Sequence, residues 1–306
     1  MADEKPIDAA TGTELKGHEW DGIQELDTPL PRWWLWTFYA TILFAIAYTI
    51  AYPAWPMIHT ATQGLLGWSS RHALDNELAE REAQVAPIRK AIAETPIEAL
   101  PGKPHLMQAA VEGGRAAFRV HCVQCHGSGA AGSKGYPNLN DDDWLWGGDL
   151  ATIEKTIFDG VRNPDHAATR MSQMPAFGRD QLLTPAQVDD VVAYVRMISG
   201  QDRPGAAARL GAKLFADNCA VCHGPAGHGD RALGAPNLTD GIWLYGGDTE
   251  TIRETVWTSR QGVMPRWGDK LDKATVRMLA AYVHSLGGGE TLPVVAAVEG
   301  AGDAGK

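Results

Sequence analysis

The sequence predicts a mainly α protein: one N-terminal transmembrane helix, then two tandem copies of a small helical domain. Three observations carry that expectation. An uncharged run of 20 residues, Trp33 to Tyr52, stands near the start of the 306-residue chain. Two pentapeptides, CVQCH at Cys122 to His126 and CAVCH at Cys219 to His223, share one pattern 97 residues apart. The residues around them recur at nearly the same separation, which marks an internal repeat.

Residues 1–32 hold eight acids against three bases, Lys5, Lys16 and Arg32. Such an acidic opening is unlike the basic start of a cleaved signal peptide. The uncharged run, as a helix rising 1.5 Å per residue, spans roughly 30 Å, the depth of a bilayer's hydrocarbon core. Trp33, Trp34 and Trp36 crowd one end and Tyr52 and Trp55 the other, as aromatic belts do at the two interfaces, and Pro53 and Pro56 stop the helix. Arg32 abuts its N-terminal end, while the first base past the other end is Arg71, so the positive-inside rule puts residues 1–32 in the cytoplasm.

Residues 53–106 read as a helical linker beyond the membrane. Leu74, Leu78, Val85, Ile88 and Ile92 recur near helical spacing, a stripe that suits either a solvated spacer or docking against a partner subunit. Pro87 is expected to kink that helix or start a new one. Pro101, Gly102 and Pro104 mark its end.

Each pentapeptide sets two thiols and an imidazole at i, i+3 and i+4 of a helix, where all three face the same flat ligand. This is the attachment pattern of c-type haem: Cys122 with Cys125, and Cys219 with Cys222, form thioethers to the porphyrin, and His126 and His223 reach the iron. A zinc site would bring its second cysteine pair within about 20 residues. A thioredoxin-like pair does not call for a following histidine. The expected cofactors are two covalently bound haem c groups, which use all four cysteines of the chain.

The repeat extends through residues 107–200 and 206–287. Gly114 and Gly211, Phe118 and Phe215, and Cys122 and Cys219 lie 97 apart; Asn138 and Asn237, Trp144 and Trp243, and Gly147 and Gly246 lie 99 apart. The offset falls to 90 for Met174 and Met264 and to 88 for Tyr194 and Tyr282. In each copy a helix leads into the haem motif, a PNL stretch comes next, and an aspartate after two glycines (Asp149 or Asp248) can cap the next helix. A Met-Pro loop then precedes a closing helix; Thr184-Pro185 starts the first one well. Val188, Val191, Val192 and Val195 give it an apolar side, repeated by Val276, Leu279, Ala280 and Val283. Residues 288–306, rich in Gly, Ala and Val, read as a disordered tail.

Each copy resembles the class I cytochrome c fold, so the fold class becomes a membrane anchor followed by two tandem class I cytochrome c domains. In that family the first and last helices cross through a small residue and an aromatic pair, which implies Gly114 and Phe118 against Tyr194, and Gly211 and Phe215 against Tyr282. The resemblance also implies a methionine followed by proline as the second axial ligand, hence Met174 and Met264. Met171 lacks that context, and His166, His228 and His284 do not recur between the copies. Which copy's iron each methionine serves stays open: local pairing and crossing would leave the same motifs.

The stretch Gly17 to Trp34, GHEWDGIQELDTPLPRWW, resembles the segment before the membrane anchor in the dihaem subunit of cbb3-type cytochrome c oxidases. That resemblance implies an electron relay in a bacterial inner-membrane complex, with no catalytic residue of its own. Its partners would be a catalytic haem–copper subunit, a monohaem c subunit, the lipid bilayer and a cytochrome c donor, soluble or membrane-bound. The haem domains would be periplasmic. A net charge of −10 argues against nucleic acid and favours a basic donor. Open alternatives are a free-standing dihaem carrier, a dihaem peroxidase and a gas sensor; the last two need an open iron position, which two Met-Pro loops argue against.

Overall fold

The computed structural model describes residues 6–291. The chain forms two compact units that divide between Gln84 and Val85. In the first, strands β1 (Leu15–Trp20) and β2 (Ile23–Leu26) pair antiparallel. Asp21 and Gly22 between them both have positive φ, 49° and 84°. An Asp-Gly pair suits such a hairpin turn, because both central residues must be left-handed.

Helix α1 (Arg32–Ala51) follows Pro31, and none of its side chains is buried. It is the one helix among the described residues long and apolar enough to cross a membrane. Its bounds lie one residue before the expected ones. Helix α2 (Ser70–Glu94) runs through Pro87 without a break, contrary to the expected new start.

The second unit contains α3 (Pro104–His121), α4 (Val123–His126), α5 (Leu150–Asp159), α6 (Pro185–Ile198), α7 (Ala206–Asn218), α8 (Ala220–His223), α9 (Thr249–Thr258) and α10 (Lys273–His284). The expected caps are present: Asp149 and Asp248 accept from the Thr152 and Thr251 N–H groups, and Thr184 forms a capping box with Gln187. The predicted apolar faces of α6 and α10 are buried.

Helix pairing departs from the local closure expected of each copy. Helix α3 packs against α10, and α6 against α7, so each cytochrome-like core takes its closing helix from the other copy. Phe118 meets Tyr282 at 5.3 Å between ring centroids, and Phe215 meets Tyr194 at 5.1 Å. Both crossings depend on glycine: a Cβ on Gly114 would strike the Met278 carbonyl, and one on Gly211 the Asp190 carbonyl. One core joins Phe118, Leu150, Ile153, Val276 and Leu279; the other joins Phe215, Ile252, Val256, Val188 and Val192.

The exchange has a local cause. Only seven residues separate α6 from α7, and consecutive helices on a short connection pair with each other. Arg196 fastens that turn, donating from Nε (2.6 Å) and Nη2 (3.0 Å) to the two carboxylate oxygens of Asp202. With α6 taken, α3 must find α10.

The linker is corrected too. Its stripe packs on its own chain at the C-terminal end, where Ile92, Ile97 and Leu100 are buried in the first core, while Leu74 and Leu78 are exposed. Buried Arg277 on α10 donates to the Ile92, Ala93 and Thr95 carbonyls at the end of α2, and to Glu154 on α5. Of the predicted disordered tail, 292–306 lie outside the described residues. The start of that stretch is tied down: Gly288 O accepts from Trp144 Nε1 (2.6 Å), and Glu290 from the Gly148 N–H (2.9 Å) and Arg231 (2.7 Å).

A fragment of residues 104–203 is therefore expected not to fold, since α3 lacks α10 and α6 lacks α7. Far-UV circular dichroism and protease resistance test this; a compact, protease-resistant fragment would show that α3 and α6 pair after all. In the full chain, Gly114→Ala and Gly211→Ala are each expected to cost about 1–3 kcal/mol through overpacking, read from denaturant unfolding.

Candidate haem-binding sites

Both pentapeptides form the same local structure. The first helix of each copy ends at the first cysteine, and a single turn, α4 or α8, carries the second cysteine and the histidine. Gly127 and Gly224 come next at φ 78° and 74°, a left-handed exit that glycine takes without strain. The His126 and His223 N–H groups bond back to the Cys122 and Cys219 carbonyls at 3.0 and 2.9 Å, which holds all three side chains on one turn.

Each imidazole is oriented from behind. His126 Nδ1 lies 3.2 Å from the Pro137 carbonyl, and His223 Nδ1 lies 3.0 Å from that of Pro236. Nδ1–H donation to a carbonyl fixes the tautomer and leaves the Nε2 lone pair for a metal. Burial pulls both histidines below the usual imidazole range, against the raising effect of those carbonyl contacts. Both rings are thus neutral and ready to ligate at pH 7. Burial, with the neighbouring Cys125 and Cys222 adding to it, pushes the Cys122 and Cys219 thiols up to about 11.

The Met-Pro loops follow the exchanged helices. Met264 packs against the core that contains Cys122 and Phe118, and Met174 against the core that contains Cys219 and Phe215. The backbone holds each loop there. Met264 and Val161 exchange N–H···O bonds of 2.9 and 3.0 Å, and the Trp267 and Gly268 N–H groups bond to the Ile157 and Phe158 carbonyls at the end of α5. On the other side, Phe177 and Arg179 bond to the Val256 and Trp257 carbonyls at the end of α9, and the Ser259 hydroxyl donates to the Met174 carbonyl. Gly160 and Ser259 are equivalent positions, 99 apart, and a Cβ at Gly160 would strike the Met264 carbonyl.

Three of the competing ligands make other contacts, and the fourth is exposed. Met171 is exposed, His166 Nδ1 accepts from the Ala168 N–H, His228 contacts Thr239 Oγ1 and His284 contacts the Glu290 carbonyl.

A repeated arginine was missed in the sequence. Arg170 and Arg260 each stand four residues before the loop methionine, at the same offset of 90. Arg170 stacks over Trp146 at 5.1 Å, with Nη2 3.4 Å from the Thr152 carbonyl; Arg260 stacks over Tyr245 at 4.8 Å and donates to the equivalent Thr251 carbonyl at 2.6 Å. Arg170 Nε is buried without a hydrogen-bond partner among the described residues. An unpaired guanidinium N–H beside such a site suits an anionic group, and a porphyrin carries two carboxylates. The donor set, the free Nε2 positions and this orphan N–H all fit haem c.

The fold and these sites define the class: a membrane-anchored c-type cytochrome with a duplicated cytochrome c domain. Residues 12–59 match the family described as the N-terminal domain of cytochrome oxidase-cbb3, FixP, and residues 109–195 and 206–283 match cytochrome c oxidase, cbb3-type, subunit III. The chain belongs to this family of cbb3-type oxidase subunits. It is similar to the cbb3-type cytochrome c oxidase subunit CcoP of Cereibacter sphaeroides, 55% identical over 90% of this chain and 94% of that one. It is also similar to the subunit FixP of Azorhizobium caulinodans, 50% identical over 93% and 97%, and to CcoP of Rhodobacter capsulatus, 49% over 90% and 96%. The chain is thus an electron-transfer subunit of an oxidase complex; the free carrier, the peroxidase and the sensor are not favoured.

Where the PNL loops end, Asp143 is raised to about 6, by burial first and then by the nearby carboxylates of Asp240 and Asp141. Unfolded, it ionises near 3.8; folded, it keeps its proton longer, so stability falls as pH rises from about 4 to 6 and stays lower above. Asp143→Asn is expected to remove that fall, gaining about 1 kcal/mol at pH 7 relative to pH 4 once its partial exposure is allowed for. Urea unfolding at the two pH values checks this; an unchanged pH difference counts against it.

Proposed function

We propose that the chain carries two haem c groups and relays electrons from a donor cytochrome c to the catalytic haem–copper subunit of a cbb3-type oxidase. Cys122 and Cys125 would hold one porphyrin with His126 as proximal ligand, and Cys219 and Cys222 the other with His223. The methionine ligands would be crossed: Met264 would serve the site of His126, and Met174 that of His223. The carrying observation is that each methionine, half-buried, packs against the core beside the other copy's haem motif. Bound haem iron would supply a one-electron couple, and methionine with histidine as its ligands would raise the potential.

The chain's own groups do the rest. Pro137 and Pro236 hold the imidazoles in one tautomer, Val161 and Ser259 hold the methionine backbones, and Arg170 would offer its N–H to a propionate. With a histidine and a methionine provided for each iron, neither site would leave a place for a substrate. The N-terminus lies in the cytoplasm and the cytochrome domains in the periplasm, where haem c is attached and where a donor can reach them. The catalytic subunit and a monohaem c subunit are its partners in the membrane.

Crossed ligation is tested in a chain that keeps one attachment site. In a Cys219→Ala/Cys222→Ala background, Met264→Ala is expected to open the remaining haem to carbon monoxide, and Met174→Ala to leave it closed. The reverse pattern in carbon monoxide difference spectra would establish local ligation. The acidic surface is expected to steer a basic donor, so stopped-flow reduction should slow as salt rises. Rates indifferent to ionic strength would remove electrostatic steering from the proposal.

A further inference from the structure

The chain carries no Asp, Glu, Lys or Arg from Trp33 to Ser70, although α1 ends at Ala51. The segment beyond the span is therefore as uncharged as the span itself. Pro53 has no N–H to continue the helix, and the last carbonyls of α1 find other donors. The Leu65 N–H bonds to the Ile50 carbonyl at 2.9 Å, and that of Leu66 to the Ala51 carbonyl at 3.1 Å. Gly64 permits this return: its φ is +71°, and a Cβ there would strike the Ala51 carbonyl.

The loop is closed upon itself as well. Thr62 N–H bonds to the Trp55 carbonyl at 2.9 Å and Met57 N–H to that of Thr60 at 2.6 Å, while Thr62 Oγ1 accepts from the Trp55 N–H at 3.1 Å. Tyr48 stacks on Tyr52 at 4.8 Å, and Trp68 meets Tyr52 edge-on at 5.9 Å. With its polar backbone turned to such partners, the loop presents apolar side chains outward. Ile58 is 93% exposed and Leu65 84%, and Trp55, Met57 and Leu66 each exceed 60%.

We propose that residues 53–68 form an interfacial collar, seated at the boundary between headgroups and acyl chains of the leaflet into which α1 emerges. The two bonds to Ile50 and Ala51 set its depth, since they hold the loop on the last turn of the span. A collar at that level meets both media it needs: acyl chains for Ile58, Leu65 and Leu66, and headgroups for the indole and phenol edges of Trp55, Trp68 and Tyr52. A solvated loop would leave this apolar surface in water beside the bilayer. A second span is ruled out, because Ile50 and Leu65 bring the two ends of the loop to the same end of α1. The charged chain resumes at Arg71, one residue into α2. This inference rests on the membrane span alone and is independent of how the irons are ligated.

The test is depth measurement by spin labels on the full haem-loaded chain in lipid nanodiscs. All four native cysteines lie in the two pentapeptides, so thioether formation leaves an introduced cysteine as the only free thiol in the chain. Ile58→Cys and Leu65→Cys report on the collar, Leu43→Cys on the middle of the span and Glu80→Cys on water. The expected ratio of oxygen to nickel-chelate collisions at 58 and 65 is several-fold above that at 80 and below that at 43. The same ratios are expected in the assembled oxidase. A ratio at both positions equal to that at 80 would put the loop in water and overturn the collar. Exclusion of both reagents in the assembled oxidase would show that a partner subunit covers it, and would overturn it equally. Each substitution leaves in place the backbone N–H and C=O groups that hold the loop, and the two positions are read together.

Discussion

The close approach of backbone to backbone at two glycine crossings is the constraint on which the second unit depends. Gly114 lets α3 lie against the Met278 carbonyl of α10, and Gly211 lets α7 lie against the Asp190 carbonyl of α6. Neither copy of the repeat owns a complete core. Folding must therefore order both copies together, and the loop between α6 and α7 joins two packed helices where a domain linker would otherwise stand. Residues 85–291 are accordingly one body with two pseudo-equivalent halves.

This explains why the element boundaries were legible in the sequence and the pairing was not. Caps, turns and apolar periodicity are local signals, and Asp149, Asp248, Thr184 and the valines of α6 all act as their positions suggest. The crossing residues are written identically in both copies, however, so Phe118 fits Tyr194 or Tyr282 equally well. What breaks the tie is chain geometry. Seven residues between α6 and α7 favour pairing those neighbours, a connection length that could have been read beforehand. The Asp21-Gly22 turn is a comparable case: its Asp-Gly pair is a local hairpin signal, although the strands on either side are short and largely exposed.

Site chemistry was legible to a different depth. Thiol and imidazole positions follow from the pentapeptides alone, because one helical turn fixes their relation. The groups that tune them come from distant segments. Nothing in a PNL stretch announces that its proline carbonyl will stand behind a histidine. Arg170 and Arg260 did carry a signal, their constant distance from the methionine, yet arginine's ordinary place on a solvated surface hid it.

The exchanged pairing also bears on how the subunit handles charge. Under crossed ligation, the loop that delivers a methionine to one iron is hydrogen-bonded to the helix end beside it in the other copy: Met264 to Val161, Met174 to Ser259. Each methionine loop is thereby tied to the core that would hold its haem, so the ligand set of each site would stay fixed for as long as that core stays packed. A carrier that undergoes repeated oxidation benefits from this, because a fixed ligand set needs little rearrangement as the electron passes. Two independent domains on a flexible linker would vary both the distance between the irons and their exposure. The glycine crossings, the short α6–α7 turn and the methionine loops thus act together, so that each half of the duplicated unit is completed by the other copy.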